Sequence, residues 1–123
     1  MASVIRSMPA LHHLALRTRD VAGLAQFYRD WFELDVVREQ RPRSLWLGLG
    51  ADAVLMIEAA GEGEPGIPAG TLELVALRVS SAERELLRAR LVAHDMLEAE
   101  TAHSVYFRDP DGRRVGASSF PLP

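Results

Sequence analysis

The chain carries one short pattern twice. Leu14-Ala15-Leu16-Arg17 returns as Val75-Ala76-Leu77-Arg78, 61 residues on. Ser44-Leu45-Trp46-Leu47 returns as Ser104-Val105-Tyr106-Phe107, 60 residues on. Each four-residue match is weak by itself. The shared offset carries the weight, because a fixed period marks one supersecondary unit used twice. Residues 60–70, AGEGEPGIPAG, contain four glycines and two prolines, the composition of a linker. At 123 residues the chain has the length of one domain. It is expected to be a single domain over 1–123, with module one at 9–60, a linker at 61–70 and module two at 71–119.

The same order of elements is expected in each half. Residues 11–17 alternate in polarity and predict a strand. Asp20 is placed to cap a helix, on which Val21, Leu24, Phe27, Tyr28 and Trp31 follow at helical spacing. Strands are expected at 35–39, 44–49 and 53–58, with a turn at 50–52. In the second half a strand at 72–79 precedes Ser80 and Glu83, which have the spacing of a capping box. A helix over 82–94 has Leu86, Leu87, Leu91 and Val92 as its apolar residues. Short strands at 97–100, 104–108 and 113–118 follow, the last two joined by the turn Asp109-Pro110-Asp111-Gly112. Each half is therefore βαβββ. The fold class expected is α+β: two βαβββ modules in tandem, with mixed curved sheets enclosing a cleft and helices outside.

Strand alternation assigns faces. Leu14, Leu16, Leu45, Leu47 and Leu49 are expected on the helix side of module one, and Val75, Leu77 and Val79 on that of module two. The opposite faces then carry His13, Arg17, Trp46, Met56, Glu58, Leu74, Arg78, Tyr106, Arg108, Arg114 and Ser118. Aromatic and apolar walls with a few placed polar groups suit a small organic ligand. Trp46 and Tyr106 are placed to stack on a planar molecule. Arg17 and Arg78 occupy equivalent positions and suit an anionic group, since guanidinium binds carboxylate or phosphate in bidentate fashion. A solvated strand end is the alternative for both.

Composition removes several chemistries. There is no Cys, Lys or Asn, and all 14 basic residues are Arg. Thiolate nucleophiles, disulfides, Schiff-base lysines and P-loops are excluded. The net charge of -3 argues against a nucleic-acid partner. No apolar run approaches the length of a membrane span. Residues 1–8 lack the apolar stretch of a signal peptide, so a cytoplasmic protein is expected.

The run from His13 through Leu-Ala-Leu-Arg-Thr-Arg to Asp20-Val21, the helical pair Phe27-Tyr28, and Val105-Tyr106-Phe107-Arg108-Asp109-Pro110-Asp111-Gly112 together resemble the vicinal oxygen chelate superfamily. That group comprises glyoxalase I, bleomycin-resistance proteins, fosfomycin-resistance transferases and extradiol dioxygenases. The resemblance implies paired βαβββ modules and a homodimer. It also implies a divalent metal held by His and Glu from the first and last strand of each module. Carried over, those positions are His13, Met56, Leu74 and Gly116. Only His13 is a ligand of the implied kind, whereas a catalytic metal needs about three protein ligands. No metal or other cofactor is therefore expected. A displaced set of His13, Glu58 and His103 is the alternative.

His13 is the best candidate for a catalytic group, as a general base. His12 is expected on the opposite face, and His94 at the end of the second helix. Asp109 and Asp111 are expected to serve their turn. The leading functional expectation is a metal-independent small-molecule binding protein, built like bleomycin-resistance proteins, with no membrane partner. The alternative is a metal-dependent lyase, isomerase or dioxygenase with displaced ligands. A third class is a subunit or regulatory domain whose work is protein association.

Overall fold

Alternating apolar residues, capped helices and tight turns fold each half of the chain into a four-stranded sheet with one helix laid on it. The computed structural model describes residues 4, 7–50 and 52–123. Ala51, in the turn expected at 50–52, lies outside the described residues, as do residues 1–3, 5 and 6 of the segment read for a leader. The chain divides into two compact units, 1–62 and 63–123.

In the first unit the order is β1 (His13–Thr18), α1 (Val21–Phe32), β2 (Val36–Gln40), β3 (Ser44–Leu49) and β4 (Ala53–Ala59). The strands lie in the order β1-β4-β3-β2. The β1–β4 pair is parallel and the others antiparallel. The second unit repeats this with β5 (Leu74–Arg78), α2 (Ser81–Ala93), β6 (Ala99–Glu100), β7 (Ser104–Arg108) and β8 (Arg114–Ser118). Its order is β5-β8-β7-β6, with β5–β8 parallel. The expected tandem βαβββ architecture is what the chain adopts. Strand ends differ from the sequence expectation by one or two residues, as frayed ends do.

Both helices begin at the caps their sequences specify. The Asp20 carboxylate accepts from Gly23 N–H at 3.0 Å. The Ser80 hydroxyl accepts from Glu83 N–H at 3.1 Å, and the Glu83 carboxylate accepts from Ser80 N–H at 2.7 Å. The Ser80 N–H, and after it the Ser80 hydroxyl, hold the Glu83 carboxyl below its usual range against a smaller opposing effect of burial. Helix α1 stops at Glu33, which adopts a left-handed φ of 54°. In the last turn of the sheet, Asp109 Oδ1 accepts from the N–H groups of Asp111 and Arg113, and Oδ2 pairs with the Arg113 guanidinium. Asp109 is buried and serves this turn, and Gly112 supplies its φ of +91°.

Each helix seals one sheet face. Leu24, Ala25 and Tyr28 of α1 are buried, as are Leu45, Leu47, Leu55 and Ile57 of the strands beneath. In the second unit Leu87 and Leu91 are buried with Val105, Phe107, Val115 and Ala117. Burying a large apolar side chain stabilises by ~1.5–3 kcal/mol, so these few residues dominate each core. The four apolar residues expected on α2 do not share one environment. Leu86 is 75% exposed and Val92 52% exposed, so its buried stripe is narrower than four leucine and valine positions. The buried residues of α2 are Leu87 and Leu91, one turn apart.

The strand β2 carries a bulge between Val36 and Arg38. Val36 pairs with Leu47, yet Arg38 pairs with Trp46 and Gln40 with Ser44. Without the extra residue, Arg38 and Gln40 would share the side of Leu45 and Leu47, because a one-residue slip reverses every face.

Truncating Leu91, which is fully buried, should lower unfolding free energy by ~2–5 kcal/mol as Leu91→Ala. On the same helix Leu86→Ala should change it by less than ~0.5 kcal/mol. Urea denaturation followed by circular dichroism separates the two.

Candidate functional site

The face of each sheet turned away from its helix carries the candidate chemistry. In module one, strand register aligns Arg17 with Glu58 and Ser44, and Ala15 with Met56 and Trp46. His13 precedes them on β1. Arg17, Trp46, Met56 and Glu58 of the expected set line one cavity of about 320 Å³, together with Gln40, Arg43, Ser44 and Ala59. The last four were missed by sequence reasoning. Gln40 reaches this face only through the β2 bulge. Arg43 sits in the turn before β3, where alternation assigns no face.

Local pairing sets the electrostatics of this cavity. Arg17 donates to Glu58 at 3.1 Å. Ser44 donates its hydroxyl to Gln40 Oε1 at 3.2 Å. The Arg38 guanidinium lies over the Trp46 ring, 4.7 Å from its centroid, a cation–π contact. Trp46 Nε1 is buried and has no hydrogen-bond partner among the described residues. His13 is exposed, with its Nδ1 2.9 Å from Nδ1 of His12.

Module two builds the same rows with other residues. Arg78 aligns with Ser118 and Ser104, and Ala76 with Gly116 and Tyr106. Ser104 donates its hydroxyl to Ser118 at 2.7 Å. No carboxylate stands where Glu58 stands in module one, and the Arg78 guanidinium makes no ion pair or hydrogen bond among the described residues. Tyr106 lies over Gly116, so that a Cβ on Gly116 would meet the ring at 3.0 Å. The Arg114 guanidinium covers the same ring at 4.7 Å. Leu74 and Arg114 line a separate cavity of about 280 Å³ with Ile67, Pro68 and Thr71 among its walls.

The arginines of module two are differently employed. Arg108 grips Glu98 with two N–H groups and also donates to the carbonyls of Thr71 and Gly112. Arg114 forms a further ion pair with Glu98 at 3.2 Å, without hydrogen-bond geometry. Arg108 is thus a structural clamp across β7, the approach to β6 and the segment leading into β5. Its hydrogen bond holds the Glu98 carboxyl below the usual range, with burial opposing and both guanidinium charges assisting. Glu98 raises Arg108 in return.

Of the residues at the four implied metal positions, His13 alone offers a suitable donor, and the other three do not fit a metal. Met56 offers a thioether, a poor ligand for hard or borderline ions. Leu74 offers no donor. At Gly116 there is no side chain, and the Tyr106 ring occupies the space one would need. The displaced set fares no better: Glu58 is paired with Arg17, and His103 packs edge-on against Phe120 at 5.3 Å. Among the described residues no group of three or more His, Asp or Glu is gathered to hold an ion. No helix among them is long and apolar enough to cross a membrane.

Two measurements probe these contacts. The Glu98 carboxyl is depressed in the folded state, so its stabilisation is complete above the unfolded carboxylate range and is lost as pH falls through the folded value. Glu98→Gln should therefore flatten the fall in stability below about pH 5, read by denaturant melts across pH. Gly116→Ala should cost ~1–3 kcal/mol by overpacking against Tyr106. In a Tyr106→Ala background that cost should largely vanish, as a double-mutant cycle measures.

Residues 10–116 match the model of the Glyoxalase/Bleomycin resistance protein/Dioxygenase superfamily. No curated protein sequence matches the chain. Among solved structures, the chain is similar to a lactoylglutathione lyase from Agrobacterium tumefaciens, with a TM-score of 0.71 and 23% identity over 92% of this chain and 95% of that one. It is also similar to a variant of the fosfomycin resistance protein FosX from Listeria monocytogenes, complexed with Mn(II) and 1S,2S-dihydroxypropylphosphonic acid. There the TM-score is 0.73 and the identity 18%, over 94% of each chain. A third is the oxidase ChaP-H2, at TM-score 0.75 and 16% identity over 94% of this chain and 97% of that one. At such identities the likeness is one of fold, and it agrees with the sequence model: the chain belongs to the glyoxalase/bleomycin resistance protein/dioxygenase superfamily.

Proposed function

We propose that this chain is a small-molecule binding protein of the superfamily that works without a metal, with the cavity on module one as its ligand site. The observation that carries this reading is Tyr106 lying over Gly116. A lost ligand can leave a vacancy that a neighbouring donor fills. Here an aromatic ring fills it and a guanidinium is stacked above. The module one cavity, about 320 Å³ with Trp46 and Met56 in its wall, lies at the small end of the ~300–1,000 Å³ range of small-molecule sites. His13 stands on the same sheet face as a polar contact for the ligand. The same reading takes the chain as a cytoplasmic homodimer with neither nucleic acid nor membrane as partner.

The fold neighbours supply the competing reading, since one is a lyase and one is complexed with Mn(II). Elemental analysis of protein purified without chelators decides between them. Substoichiometric divalent metal is expected, unchanged in His13→Ala. A stoichiometric metal that disappears in His13→Ala overturns the proposal. For ligands found by thermal-shift screening of small aromatic compounds, Trp46→Ala should weaken binding by about tenfold, or about 1.4 kcal/mol.

A further inference from the structure

We propose that the module one cavity selects a small organic anion with an aromatic body, and that Arg43, assisted by Gln40, takes its charged end. The inference rests on the reading of this cavity as a ligand site and names the ligand class.

The one carboxylate in the cavity wall is charge-paired, through one of its two oxygens, and the Gln40 carbonyl oxygen is occupied. Glu58 is neutralised by Arg17 at 3.1 Å, and Gln40 Oε1 receives the Ser44 hydroxyl. The donors are not all matched. The Arg43 guanidinium has neither an ion pair nor a hydrogen bond among the described residues, and Gln40 Nε2 has no acceptor there. Two arginines face one glutamate in the lining, which leaves one positive charge uncompensated. A ligand that completes this wall must bring acceptors, and best a negative charge, since charge-assisted hydrogen bonds are about twice as strong as neutral ones.

Arg43 differs from an ordinary surface arginine in how its root is held. Its N–H donates to Gln40 O at 2.9 Å, and its carbonyl accepts from Ala59 N–H at 2.8 Å. The backbone is thereby pinned between the end of β2 and the end of β4, at the lip of the cavity. Only the side chain needs ordering when an anion binds, which limits the entropy cost. Trp46 and Met56 in the same lining supply an apolar surface that suits a ring. Of the strand-face arginines, Arg17, Arg108 and Arg114 already face carboxylates, and Arg78 is not in the lining of this cavity.

Three probes that share one ring system and differ in charge test this: 2-naphthoate, 2-naphthamide and 2-naphthylmethylammonium. Their affinities for the whole chain are measured by calorimetry, and the site by amide chemical-shift changes at Arg43, Ser44 and Trp46. Naphthoate should bind about tenfold more tightly than naphthamide, and the ammonium most weakly. Arg43→Gln should close most of the gap between naphthoate and naphthamide, weakening naphthoate far more than naphthamide. Arg90→Gln, which removes the same net charge from α2, should leave the gap intact. Equal binding of all three at the cavity, a preference for the ammonium, or a gap that survives Arg43→Gln overturns the anion assignment and leaves the ligand site standing. Absence of any shift at the cavity residues with all three probes overturns both.

Discussion

Everything chemical in this chain depends on one division within each sheet: a helix seals one face and leaves the other open. Strand side chains alternate, so the division is made residue by residue. Leu47 and Ile57 are fully buried, while their neighbours Trp46, Met56 and Glu58 are only part-buried on the other side. The same holds for Phe107 and Val115 against Tyr106 and Arg114. A slip of one residue would drive charged groups into the core, which is why register is rigidly specified wherever one face is apolar.

Duplication then gives two copies of a row that have diverged in content. Arg17, Ser44 and Glu58 align across module one, and Arg78, Ser104 and Ser118 across module two. One row is closed by an ion pair and the other by a hydroxyl pair. One residue pair along, Met56 beside Trp46 corresponds to Gly116 beneath Tyr106. The core tolerates little change because its packing is dense. The open face is free of that constraint, so its residues can change while the scaffold persists. Fold and chemistry separate here at the level of alternate residues.

Much of the architecture was legible because its signals are local. The Asp20 cap, the Ser80–Glu83 box and the Asp109 turn need only residues a few positions apart, and each forms as its sequence specifies. Faces of β1, β3, β4, β7 and β8 followed from alternation. Legibility failed where an outcome depends on a distant partner. Leu86 and Val92 have the spacing of a buried stripe, but a helix on a sheet needs only the width that Leu87 and Leu91 supply. Arg108 belongs to the open face by alternation, yet Glu98 and two carbonyls hold it. Arg38, Gln40 and Arg43 were invisible as cavity or ring-covering residues, since a bulge and a turn interrupt the period that assigns faces.

The amino-acid sequence by itself determined the tandem βαβββ order, the helix caps, the apolar sides of the main strands and the poverty of metal donors at His13, Met56, Leu74 and Gly116. The order, caps and apolar sides follow from residue type and short-range spacing, and the metal positions from the family resemblance that the motifs carry. Tertiary structure alone decided which arginines are matched by carboxylates, that a ring covers Gly116, and that Arg43 stands unmatched at the lip of a cavity. Those outcomes rest on strand register and on one inserted residue in β2, and register is settled only when strands far apart in the chain pair over a common core.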